Sequence, residues 1–103
     1  MWHKQNTSDF QTLPVQPNNS KVTLDEKGYF LIRINEDKDL IEVGFCNPKH
    51  EVVYVWKGNN PKDLCKAIDE KNVLGSYAHA FYLGRELQRA HECLILEKPY
   101  IQD

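Results

Sequence analysis

This sequence has little of what usually announces a chemistry. Its cysteines, Cys46, Cys65 and Cys93, are odd in number and lack paired spacing. That excludes a disulfide scaffold and points to reduced thiols in a cytoplasmic setting. No apolar run approaches the roughly 18 residues a membrane span needs, and the N-terminus lacks the apolar core of a signal peptide. Charge of one sign is scarce too. The formal net charge is −2 over 103 residues, and bases alternate with acids. Nucleic-acid binders carry a basic stripe, so that partner class is set aside. There is no glycine-rich phosphate loop, nucleophile elbow or paired-carboxylate motif. Cys46 and His50 sit at ligand-like spacing, but no second pair accompanies them, which argues against zinc. These absences disfavour an enzyme acting alone. No catalytic residue, metal ligand or cofactor is assigned.

Residues 1–20 are rich in Asn, Gln, Ser, Thr and Pro, with apolar residues scattered singly. Such a stretch cannot bury enough surface to offset its ordering entropy, so we expect an arm followed by one domain over 21–103. In that domain Phe30, Ile32 and Ile34 alternate with Leu31, Arg33 and Asn35, the period of a strand. The polar run Glu36–Asp39 turns the chain. Ile41, Val43 and Phe45 then alternate in a second strand, Asn47-Pro48 marks another turn, and EVVYVW at 51–56 reads as a third. Two helices follow. Asn60 is placed to cap the first, with Pro61 at its first position and Leu64 and Ile68 facing inward. Ser76 is placed to cap a long helix over 77–96. Strands segregated from helices predict an α+β fold: a three-stranded antiparallel meander packed against two helices, with the closing YIQD as a candidate fourth, edge strand.

The long helix carries the candidate chemistry. Leu83, Leu87, Ala90 and Leu94 share its core stripe, with Ala80 at the edge. His79 and Glu86 lie on one border, about 10.5 Å apart along the axis, and Tyr82 lies slightly further round. Phe81 points outward. Gly84 costs roughly 1 kcal/mol against alanine, and its gap admits a neighbouring backbone, another helix or a ligand. On the simplest reading Glu86 is a solvated border carboxylate paired with Tyr82 or Arg89, while Arg85 and Arg89 face solvent.

If Phe30, Ile32, Ile41, Val43, Val53 and Val55 face the helices, the opposite face carries Tyr29, Leu31, Arg33, Glu42, Tyr54 and Trp56. Arg33 and Glu42 are then positioned to pair across the hairpin. Tyr54 and Trp56 would form a surface for a homodimer or protein partner, or a platform for a flat ligand.

Three stretches carry a resemblance: DEKGYFLIRI at 25–34, HAFYLGREL at 79–87 and YIQD at 100–103. They resemble a small domain family whose name bears a pterin-binding label. Its members stand alone or are appended to dihydropteroate-synthase-like proteins. The resemblance implies a small α+β domain and a link to pterin or one-carbon chemistry, and no catalytic residue is carried over. A pterin presents a flat ring and an amino–NH edge suited to a carboxylate, so a site needs one semi-buried acid and one aromatic face. Glu86, Tyr82 and His79 are the ligand-binding candidates. Two functions follow: a small non-enzymatic binding module for a pterin-like ligand, or an interaction domain without one.

Overall fold

The computed structural model describes residues 26–103; the expected arm at 1–20 lies outside them. Three strands form one antiparallel sheet in the order β1 (Tyr29–Ile34), β2 (Ile41–Cys46), β3 (Val52–Gly58). Two helices follow, α1 (Pro61–Asp69) and α2 (Tyr77–Leu96). The expected α+β meander with two helices is what forms.

Both hairpin turns use one device. The Asn35 side-chain oxygen accepts the amides of Asp39 and Leu40 at 3.0 and 3.1 Å. The Asn47 oxygen accepts those of Lys49 and Glu51 at 2.9 and 3.0 Å. An asparagine that collects amides ahead of it reinforces a turn, here beside the backbone bonds from Asn35 to Leu40 and from Asn47 to Glu51 at 3.0 and 2.9 Å. Gly28 fixes where β1 starts. Its φ is +143°, and a Cβ there would stand 1.9 Å from the Cys46 carbonyl oxygen. Only glycine fits that approach.

The helix ends follow the expected capping. Asn60 accepts from the amides of Lys62 and Asp63, and Ser76 from that of His79 at 3.1 Å. Each satisfies donors that the first helical turn leaves over. The core lies between the sheet and the helices: Phe30, Ile32, Ile41, Val43, Phe45 and Trp56 meet Leu64, Ile68, Leu83, Leu87 and Ala90.

One face assignment is corrected. Val43 pairs with Trp56 and Phe45 with Tyr54, and opposed residues share a face. Tyr54 and Trp56 therefore point at the helices, and Trp56 is only 5% exposed. Val55 faces the other way and joins Tyr29, Leu31 and Cys46 in a second buried cluster. The register shifts where Cys46 meets Val52, a bulge at Val53. Trp56 thus belongs to the core, and Tyr54 is half-buried against it, so the partner surface expected at these two residues is not on the outer face. Arg33 and Glu42 do pair, at 2.6 Å, and Lys57 approaches the same carboxylate at 3.6 Å.

Candidate functional site

The site is built on α2 and closed by the chain that follows it. Glu97 adopts a left-handed conformation, φ 55°, and the Lys98 amide donates back to the Cys93 carbonyl at 2.8 Å. This closure ends the helix and sends the chain back along it. Residues 100–103 then lie between α2 and the outer edge of β1.

Glu86 is the centre. Its side chain is 0% exposed, although a helical wheel places it at a border. One carboxylate oxygen, Oε1, accepts from the Tyr100 hydroxyl at 2.7 Å, from the Asp103 amide at 3.1 Å and from Arg89. The other, Oε2, accepts from Arg85 at 3.1 Å. A buried carboxylate is tolerable only when paired and hydrogen-bonded this fully. Arg85 also reaches the Asp103 carboxylate at 3.6 Å. Two acids and two bases thus balance locally. The expected solvated border position of Glu86 is corrected; Arg85 and Arg89 do reach solvent, at 45% and 41% exposed, while their guanidiniums also turn onto Glu86. Segment 100–103, distant in sequence, excludes the water.

Tyr82, 5% exposed, holds the same segment. Its hydroxyl donates to the main-chain oxygen of Asp103 at 3.0 Å and accepts from the Gln102 amide at 2.7 Å. The Gln102 side chain also accepts from the Ile32 amide and donates to the Phe30 carbonyl, both at 2.8 Å. This side-chain amide does for one step of the β1 edge what a neighbouring strand would do. The expected fourth strand is absent among the described residues, and its pairing is supplied by one glutamine.

His79 lies on the core side of α2. It is fully buried, and its ring packs on Phe30 with centroids 4.8 Å apart. Of the three candidates, Tyr82 and Glu86 are thus brought into one network, and His79 into the core. The Glu86–Arg89 pair is the one helical spacing suggested; Tyr100, Gln102 and Asp103 are further neighbours that the helix pattern alone did not reveal. The signal for them was the polar, bond-rich YIQD placed after Pro99.

The surroundings set the titration of this cluster. Burial, then the bond to the Glu86 carboxylate and its charge, holds the Tyr100 hydroxyl far above the ordinary tyrosine value. Burial likewise raises Tyr82. Both stay neutral donors across the physiological range.

Three grooves lie elsewhere. One of about 510 Å³ is lined by Arg33, Asn35, Glu36, Asp37, Glu42 and Lys57. Another, about 310 Å³, runs past Trp56, Asn59, Asn60, Asp63 and Ala67. A third of about 100 Å³ sits beside Cys93 and Lys98. None of the three is lined by His79, Tyr82 or Glu86. Among the described residues no group of three His, Cys, Asp or Glu could hold a metal ion, and no helix is long and apolar enough to cross a membrane.

Residues 24–103 match the family model PterinBD-DUF4346. The chain belongs to that family. The match takes in the whole described fold, including α2 and the segment it binds. The chain is 40% identical over 86 residues to "Uncharacterized protein ycf91" of Pyropia yezoensis, covering 78% of this chain and 74% of that one. A "Ycf91-like protein" of Nostoc is 32% identical over 108 residues, covering 80% and 85%. An uncharacterized protein of Methanocaldococcus jannaschii is 36% identical over 79 residues, covering 76% of this chain and 15% of that longer one. No solved structure matches the chain significantly.

Proposed function

We propose that this family member is a non-enzymatic binding module for a flat, amino-bearing heterocycle of the pterin class. Its acceptor is Glu86, with Tyr82 as the adjoining ring, and residues 100–103 hold the site closed until the ligand replaces them. One observation carries the reading. A fully buried mid-helix carboxylate spends two acceptor positions on an O–H and an N–H from residues 100–103. A pterin's amino–NH edge offers a comparable pair of donors. Arg85 is 45% exposed and can swing away, which frees the second oxygen for bidentate acceptance. The family's name, which points to pterins, supports the same ligand class. His79, packed on Phe30 behind the ring of contacts, shapes the wall rather than the ligand edge.

Calorimetry of the full chain with pterin tests this. Tyr100→Phe removes one bond that keeps the segment closed. Weakening the closed state by about 1.4 kcal/mol would raise apparent affinity about tenfold. Glu86→Gln, which loses the charge and offers a donor where an acceptor is needed, should abolish binding. Equal affinity in Glu86→Gln and the parent would overturn the assignment. So would an absence of heat in both the parent and Tyr100→Phe. Loss on Asp63→Asn instead would move the site to the groove beside Trp56.

A further inference from the structure

The outer side of α2, turned away from Tyr82 and Glu86, carries a pattern that binding at Glu86 does not use. Tyr77, Phe81, Gly84, Gln88, His91 and Ile95 follow one another at spacings of 4, 3, 4, 3 and 4 residues. Alternating three and four keeps one face of a helix towards a partner helix over its whole length, here about 27 Å. Its large apolar members are strongly exposed: Tyr77 is 96%, Phe81 72% and Ile95 64% accessible. Gly84 sits near the middle, and no atom of the described residues lies within 4 Å of where its Cβ would be. In a helix that otherwise uses good formers, this glycine costs roughly 1 kcal/mol and fills no local need.

The spacing reads the same from either end. We infer that α2 pairs antiparallel with α2 of a second copy about a two-fold axis level with Glu86. Tyr77 then stands opposite Ile95 of the second copy, Phe81 opposite its His91, and Gly84 opposite its Gln88. Each contact occurs twice, as an isologous interface requires. Phe81 and His91 offer ring-on-ring contact, the Tyr77 ring covers Ile95, and the Gly84 gap receives the long Gln88 side chain. A second copy is favoured because the stripe supplies its own complements: in this register each exposed ring meets a different residue of the same stripe rather than itself. The area is sufficient. Aromatic side chains contribute roughly 150–250 Å² each. Four of them, with the flanking isoleucines, approach the roughly 1,200 Å² of a small specific interface.

Sedimentation equilibrium on the full chain across the micromolar range reads the pairing. The parent should show a reversible monomer–dimer equilibrium. Phe81→Glu places a charge at an exposed position, so it leaves the fold intact by circular dichroism, and it should weaken the dimer at least about tenfold. The double variant Phe81→Glu with His91→Lys sets opposite charges across the predicted contact and should restore much of the loss. A parent that stays monomeric throughout the range overturns the inference, as does a dimer indifferent to Phe81→Glu. A double variant no tighter than the single one overturns the antiparallel register.

Discussion

Replacing Glu86 with alanine probes the network at its centre. The change leaves Arg85 and Arg89 without their carboxylate, but both are nearly half exposed and rehydrate at small cost. The loss falls on residues 100–103. The Tyr100 hydroxyl and the Asp103 amide each forfeit a bond to a charged acceptor, worth about 1.5–3 kcal/mol apiece. The segment can answer by detaching and hydrating both groups, which caps the cost at the free energy that holds it. Because the arginines remain wet, a net loss of about 3 kcal/mol is expected, the low end for breaking a buried charge network. For a domain of this size that lowers Tm by about 12–24 °C. Urea denaturation adds a second reading. If the segment has left the native fold, less surface is exposed on unfolding and the m-value falls with the midpoint. A loss under about 1 kcal/mol with an unchanged m-value would refute the reasoning.

Three further outcomes follow from the same geometry. Gly28→Ala should cost about 3 kcal/mol or more, since left-handed strain adds to a clash with the Cys46 carbonyl, and an unmoved urea midpoint would contradict it. The alkaline limb of stability should be steep. Tyr100 and Tyr82 are raised chiefly by burial, and Tyr29 is pushed up to about 12 by burial and by Cys46. Groups raised in the fold contribute fully below the unfolded value of about 10 and lose that contribution as pH rises above it, by about 1.4 kcal/mol per unit each. Melting from pH 9 upward should therefore be less steep in Tyr100→Phe; equal slopes would deny the burial of that hydroxyl. Cys46, its thiol pushed up to about 11 by burial, should resist a neutral-pH thiol reagent that labels half-buried Cys65 and Cys93, and simultaneous labelling of all three would count against the packing.

Much of the fold was legible in the sequence because its local devices agree. The asparagines at the turns, Asn60 with Pro61, and Ser76 mark element ends by bonds that short stretches encode. Strand β3 was not legible in its phase. Val53, Tyr54, Val55 and Trp56 are all apolar, so either alternation fits, and only pairing with Val43 and Phe45 decides which face is inward. Tyr54 and Trp56 were placed outside for that reason. Glu86 was found as a candidate from its helix, but its burial depends on partners 14 and 17 residues later, which no periodicity reports. Gln102 replaces a strand with a side chain, and strand patterns carry no sign of that substitution. Phe81 is outward by the helical count and outward in the fold, so its exposure was legible in the sequence.

Amide-resolved NMR of the full chain titrated with pterin reaches the central claim most directly. The Asp103 amide donates to Glu86 in the closed form and should be slow to exchange. If the ligand takes that acceptor, the Asp103 amide loses its protection as pterin is added, and the resonances of Glu86 and Tyr82 shift with it. An Asp103 amide that keeps its protection at saturating pterin, or shifts confined to Trp56 and Asp63, would contradict the account.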